Sequence, residues 1–350
     1  MLESKKGVKG MKTTNKRKNK KRKLLLVLLM LLLTFVTLST STYAWFTANK
    51  TVTVNSINVN VAATNGLQIS VNAIEWKTII TNEDIQKIID EIATDPSTAT
   101  YPSAVNQLPN SSAMLSPVST VGSLTDGKMN MYLGTVSSDA GGNLTLTAEQ
   151  SVETSSKTGG NFVAFDLFFQ VQSQSDIYLT SNSTVTSGAN NNTGIHNAGR
   201  VAFIDNGYLA AGSNTANIQA LKEGKDVVIW EPNTDVHTAA AVNAAYGTYQ
   251  LTTQETGAAR LEYYGVKAPI TEGVALNSTN AEFFEKVTPD LTSVAAGIPT
   301  NAYLKVLTLN PGITKVRVYM WVEGQDVDCE NNASGGSVSY NIQFSMDAGA

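Results

Sequence analysis

Three acids recur at every second residue near the end of the chain, Asp326, Asp328 and Glu330, in a stretch that also carries Gly324. Carboxylates at that spacing can offer hard oxygen ligands, and calcium is the ion they suit. The stretch lacks the fixed Gly and bidentate Glu of an EF-hand loop. Two readings follow: a solvated turn between the last two strands, which is the expectation, or a calcium clamp on that turn. Cys329 sits among the same acids. Neighbouring negative charge raises a thiol pKa and blunts the nucleophile. As the single Cys of the chain it can make no intramolecular disulfide, and it reads as a spare thiol in preference to an intermolecular link.

Only two His occur, His196 in GIHNAG and His237 in TDVHTAA, and neither belongs to an HExxH helix, so a conventional zinc peptidase lacks its ligands. The chain has no GxSxG elbow, no P-loop and no GxGxxG. No catalytic residue and no cofactor is expected, calcium being the one option. Trp230 and Trp321, with Tyr263 and Tyr264, can form a sugar-stacking platform, against a default of core packing. Asp166, inside an apolar run, reads as a hydrogen-bonded carboxylate at a sheet surface and not as a catalytic acid.

Such groups need a scaffold, and the composition says which. Of 350 residues 42% are hydrophobic and only 15% charged, so a core can form while solubility rests on neutral Ser, Thr, Asn and Gln. Those types suit strands and turns, and the expectation is an all-β chain. Charge is unevenly spread. Residues 1–23 hold eleven Lys and Arg against Glu3, and residues 24–44 hold no charge. Subtracting these from totals of 25 basic and 29 acidic residues leaves 14 and 28 for residues 45–350, a net of −14.

The basic run leads directly into LLLVLLMLLLTFVTL at 24–38, followed by a small polar cluster and Thr42-Tyr43-Ala44. Basic n-region, apolar h-region and small-x-small triplet predict a secretory signal over 1–44, cleaved between Ala44 and Trp45. The alternative is a retained anchor, since the tract extended to Phe46 is 23 residues long and would be oriented identically by its lysines. A basic stretch ending in an h-region is explained by export and not by nucleic acid. The body, 45–350, is expected outside the cell or on its surface, or membrane-anchored if the signal stays.

Along the body, TVTVNSINVNV at 51–61 alternates on one parity through Val54 and on the other from Ile57, which predicts a bulge at Asn55-Ser56. GLQISVNAI at 66–74 reads as a strand. Thr81 and the acids after it cap a helix whose Ile85, Ile88, Ile89 and Ile92 share a face, with Pro96 ending it. Residues 94–127 read as a long polar loop, and a second loop spans 181–199. MNMYLGTV and NLTLTAE form a hairpin, and FVAFDLFFQV at 162–171 is the strongest central strand, with 177–179 expected beside it. A short strand at 200–204, a weak helix at 214–223 and the strand VVIW follow, while 238–257 receives no assignment. Leu304, Val306 and Leu307 are expected to form a hairpin with KVRVYMWVE across Asn310-Pro311-Gly312. Val316, Val318, Met320 and Val322 should share one face, and Arg317, Tyr319 and Trp321 the other. SVSYNIQFSM should return antiparallel, with Val338, Tyr340, Ile342, Phe344 and Met346 inward. The sum is an antiparallel β-sandwich decorated by one or two short helices.

The signal ending in Thr42-Tyr43-Ala44-Trp45-Phe46-Thr47, with FDLFFQV (165–171), DIYL (176–179), RVAF (200–203), IWEPN (229–233) and VYMWVEGQDVDCEN (318–331), resembles exported Gram-positive surface proteins carrying SipW-type signals. That group includes the biofilm fibre protein TasA and camelysin. The resemblance implies a jelly-roll-like sandwich and handling by a signal peptidase. It further implies a non-catalytic, extracellular or wall-associated structural protein, in contact with cell wall or matrix components. It also implies a homopolymer built by donor strands, for which residues 51–61 would be the donor. The alternative is an adhesin-like module for glycan or another ligand.

Overall fold

In the computed structural model the chain divides into two compact units, Met1–Ser41 and Thr42–Ala350. The structure describes residues 52–62, 66–108, 114–154, 160–188, 193–242, 263–276, 278–330 and 333–349, all in the second unit. The signal segment, with Ala44 and Trp45, lies outside the described residues, as do residues 243–262.

In chain order the elements that matter are β1 (Val52–Val61), β2 (Gln68–Ser70), β3 (Ile79–Thr81), α1 (Asn82–Thr94), β4 (Met131–Ser138) and β5 (Leu144–Ser151). Then come β6 (Val163–Val171), β7 (Ser175–Leu179), β8 (Thr184–Ser187), β9 (Gly199–Leu209) and β10 (Val227–Glu231). The last five are β11 (Ile270–Ala275), β12 (Leu291–Thr292), β13 (Leu304–Leu309), β14 (Gly312–Val322) and β15 (Ser337–Ser345).

One sheet runs β13-β7-β15-β1-β3, with β8 also paired to β15, and the facing sheet runs β12-β10-β9-β14-β6-β2. Val54, Ile57, Val338, Ile342 and Phe344 from the first meet Phe165, Phe169, Val201, Val318 and Met320 from the second in one buried cluster. The all-β sandwich is thus present, and its alternation is the reason: period-2 apolar residues on both sheets have only each other to cover them. A further sheet, β11-β5-β4, ends on Val118–Ser119 and covers the outer face of the second sheet, where Met129 and Met131 pack on Ala164, Ile204, Tyr319 and Trp321. β6 and β14 are therefore buried on both faces.

Several local expectations hold. The register of β1 slips between Val54 and Ser56, so Val52, Val54, Ile57, Val59 and Val61 all point inward. Helix α1 begins where Asp84 accepts from the Thr81 backbone N at 2.9 Å, and it buries Ile85, Ile88 and Ile89. Asn82 Oδ1 at its start accepts the Ile57 N–H at 2.7 Å, which ties the helix to the bulge of β1.

Pairing departs from the expectation in three places. β13 and β14 form no hairpin: β13 pairs with β7 and β14 with β6 and β9, so the Asn310-Pro311-Gly312 turn carries the chain from one sheet to the other. Gly312 holds φ at +129°, and a Cβ there would lie 2.2 Å from the Leu209 carbonyl oxygen, so this crossing requires glycine. β7 likewise leaves β6 for the opposite sheet. β15 does not return against β14; it lies mid-sheet, parallel to β1 on one side and antiparallel to β7 and to β8 on the other. Alternation decides which side of a strand is apolar, but the sandwich offers two sheets that satisfy the same pattern.

The 94–127 loop is not a solvated connection. Tyr101, Ala104, Asn106, Gln107 and Leu108 are buried, and Tyr101 packs edge-on to Phe168 with centroids 5.7 Å apart. The 181–199 loop contains β8 and a 3-10 turn, Ile195–Ala198. The expected helix at 214–223 is one short turn, Thr215–Gln219, capped by Asn214. The expected strand at 66–74 shortens to β2.

Candidate functional site

The outward row of β14 reads Lys315, Arg317, Tyr319, Trp321 and then Glu323. The overlying layers leave every one of these five residues buried. Charge enclosed this way must be paired or shifted toward neutrality, and two clusters do so.

The first centres on Arg317. It stands opposite Asp166 in the β6–β14 register, with Nη1 3.1 Å from Asp166 Oδ1 and Nη2 2.7 Å from Glu153 Oε2. Lys315 Nζ lies 3.2 Å from Asp166 Oδ2, which also accepts from the Tyr101 hydroxyl at 2.6 Å. Glu153 takes the Tyr319 hydroxyl as well. Burial pushes the Asp166 carboxyl up, but Arg317 and Lys315 outweigh it and hold the group below the usual carboxylate range. Asp166 is hydrogen-bonded as expected, but it lies 4% exposed beneath a covering layer and not at a sheet surface.

The second cluster centres on Arg200, opposite Trp321 in the β9–β14 register. Its Nη2 donates to Glu231 Oε1 at 2.7 Å and to Asp326 Oδ2. Asp328 accepts from the Thr238 backbone N at 3.0 Å and contacts His237 Nδ1 at 2.6 Å. Burial, foremost, pushes the Asp328 carboxyl up against the opposing bond from His237. Glu323 accepts from Trp321 Nε1 and from the Gln325 N–H, both at 3.1 Å, and burial raises its pKa to about 7.

These contacts revise the sequence readings of the acid tract. Asp326, Asp328 and Glu330 are 5%, 1% and 1% exposed, so the tract is no solvated turn. Nor do the three converge as ligands: Asp326 is turned to Arg200 and Asp328 to His237. Among the described residues no group of three or more His, Cys, Asp or Glu is arranged to hold a metal ion. Cys329 is fully buried in the sandwich core, out of reach of an intermolecular disulfide. Trp230 and Trp321 are fully buried too, with Trp230 Nε1 donating to Ser293 Oγ at 3.2 Å, so neither offers a sugar-stacking face. Tyr263 is buried, Tyr264 and His196 half-buried.

No motif singles out Arg200, Glu153 or Glu323 in the sequence, and strand parity places Arg317 only on the face opposite the apolar row. The usable signal was a cation at an alternate position of a strand whose other face was already apolar. Chemically, the two clusters hold carboxylates against fixed cations and donors, and they weld the overlying loops to the second sheet.

The remaining candidate is β1. Its five apolar side chains are buried, and it lies between β15, to which it is parallel, and β3. Its outward residues join a neutral amide ladder in which Gln343 Nε2 donates to Asn60 Oδ1 at 2.7 Å. No family model matches the chain, and the searches of curated proteins and of solved structures return no match.

Proposed function

We propose that this is a non-catalytic, extracellular structural or surface protein whose subunits join by exchanging β1. The reading rests on the way β1 is held. It is the first described strand, and it pairs in parallel with β15 from the far end of the chain, so no hairpin binds the two together. A strand inserted this way can leave its own sheet and fill the same place in a neighbour with every contact conserved, the economy of strand exchange between identical subunits. The uncharged ladder on its outer side carries no charge to repel a second copy.

The basic run, apolar stretch and small-x-small triplet support export through a signal peptidase, and the low charge and amide-rich surface suit contact with wall or matrix material. Among the described residues no helix is long and apolar enough to cross a membrane.

The test uses the register. Asn58 and Asn341 are Cα partners with half-buried outward side chains. A chain carrying Asn58→Cys and Asn341→Cys, oxidised as recovered from the cell surface or medium, should give a ladder of linked multimers on a denaturing gel and filaments by electron microscopy. Linked monomer alone, with no filaments, would refute exchange.

A further inference from the structure

The Arg317 cluster is also the floor of a cavity of about 260 Å³ that opens between the Asp126-Gly127-Lys128 turn and the segment 220–222. Its floor is fixed. Arg317 and Lys315 are held by Asp166, Glu153 and the Gln219 carbonyl, the last accepting from Lys315 Nζ at 2.8 Å. An ammonium has three donors. Asp166 and Gln219 take two of Lys315's, its Nζ also lies 5.6 Å from the centroid of the Tyr101 ring, and one donor makes no hydrogen bond.

On the wall stands Asn206, 3% exposed, whose Oδ1 is buried without a hydrogen-bond partner. An acceptor left so inside a protein costs stability unless something donates to it. At the mouth, Lys222 is exposed and Lys128 is 48% exposed, its Nζ 3.6 Å from Glu153 Oε2. Asp126 stands at this mouth, Glu223 lines the adjoining depression and is paired with Lys225, and Glu153 and Asp166 are engaged by the floor.

Glycine lets the two loops at the mouth approach closely without filling the space between them. A Cβ on Gly127 would lie 2.9 Å from the Lys222 carbonyl oxygen and 3.6 Å from Asn206 Oδ1, and one on Gly224 would lie 2.8 Å from the Gly127 Cα. Side chains at either position would force the two loops apart or fill the space before Asn206. A second depression of about 350 Å³ shares Asp126, Gly127 and Lys222, so the opening continues beyond a single small molecule.

We propose that this cavity binds a small hydroxylated carboxylate of the sugar-acid class. The carboxylate meets Lys222, Lys128 and the remaining Lys315 donor, and a hydroxyl donates to Asn206 Oδ1. In a body of net charge −14 this cavity gathers four cations, Lys128, Lys222, Lys315 and Arg317, against three acids, Asp126, Glu153 and Asp166, and a buried acceptor that needs a donor, a lining that selects for an anion that also carries hydroxyls. The volume suits one ring, and the adjoining depression accommodates the next unit of a chain.

The experiment is calorimetric titration of the full chain with D-glucuronate, D-glucose and acetate, with amide shifts of Gly127 and Asn206 locating the site. D-glucuronate should bind and shift both amides, while glucose (hydroxyls alone) and acetate (charge alone) should bind at least tenfold more weakly. Lys222→Ala, an exposed change, should weaken glucuronate at least tenfold, and Asn206→Asp, nearly isosteric, should abolish it. A glucuronate-containing tetrasaccharide that binds more tightly than the monosaccharide identifies a polymer as the source, and equal affinity identifies the free acid. Absence of glucuronate binding, equal binding of glucose or acetate, or full affinity in Lys222→Ala would each overturn the proposal.

Discussion

Asp166 and Arg317 face each other across β6 and β14, joined at 3.1 Å in a place where each is about 4% exposed. The pair lies on the outer side of the second sheet, under Tyr101 and Glu153, so one ionic contact ties a central strand pair to two covering segments.

Removing one partner strands the rest. Arg317→Met should destabilise the protein by roughly 3–5 kcal/mol, because Asp166 and Glu153 remain buried with less positive charge beside them. The double variant Asp166→Asn, Arg317→Met should cost clearly less than the sum of the singles. Urea unfolding measures all three, and simple additivity would show that the pair is not coupled.

Glu323 makes stability depend on pH. Burial raises its folded pKa to about 7 from an ordinary 4.5, so folding favours the protonated form. Its contribution is fully present below the unfolded value and is lost as pH rises through about 7. Glu323→Gln is neutral at every pH and keeps one of the two acceptor oxygens, for either Trp321 Nε1 or the Gln325 N–H. It should raise stability at about pH 8 by roughly 1–3 kcal/mol, with little change at about pH 4. Thermal melts across that range decide it; an unchanged pH profile in the variant would assign the dependence elsewhere.

Asp326 is held by Arg200. Asp326→Asn should cost about 1–3 kcal/mol, since Arg200 keeps Glu231 but loses a charged acceptor. Added calcium should leave the melting temperature of the parent unmoved. A calcium-dependent rise that vanishes in the variant would restore the acid tract as a metal site.

Phe344 is fully buried and meets Phe169 and Phe203 edge-on, with centroids 5.1 and 5.6 Å away. Phe344→Ala should cost roughly 3–5 kcal/mol. Its aromatic partners both belong to the facing sheet, so the loss falls on the contact that closes the sandwich. A melting curve unmoved by the change would mean that this contact contributes nothing to closure.

Period-2 alternation in 162–171, 312–322 and 337–346, and the slip of parity at Asn55-Ser56, determined by themselves the strands, their inward residues and the bulge. The isoleucine spacing after Thr81 determined the helix. These are local properties, because a pleated strand or a helical turn turns the same residues to one side wherever it is placed. Which sheet each strand joined was decided only in three dimensions. The turn at Gly312 crosses between sheets instead of closing a hairpin, and β15 chose β1, from the opposite end of the chain, because both faces of the core accept the same pattern. The charged residues changed meaning for a related reason. Asp166, Asp326 and Asp328 read as surface or turn acids, since sequence spacing says nothing of the layer that covers a strand's second face. Once that layer closes, desolvation makes an isolated carboxylate costly, and the partners that resolve it, Arg317, Arg200 and His237, come from segments on average far removed in the chain.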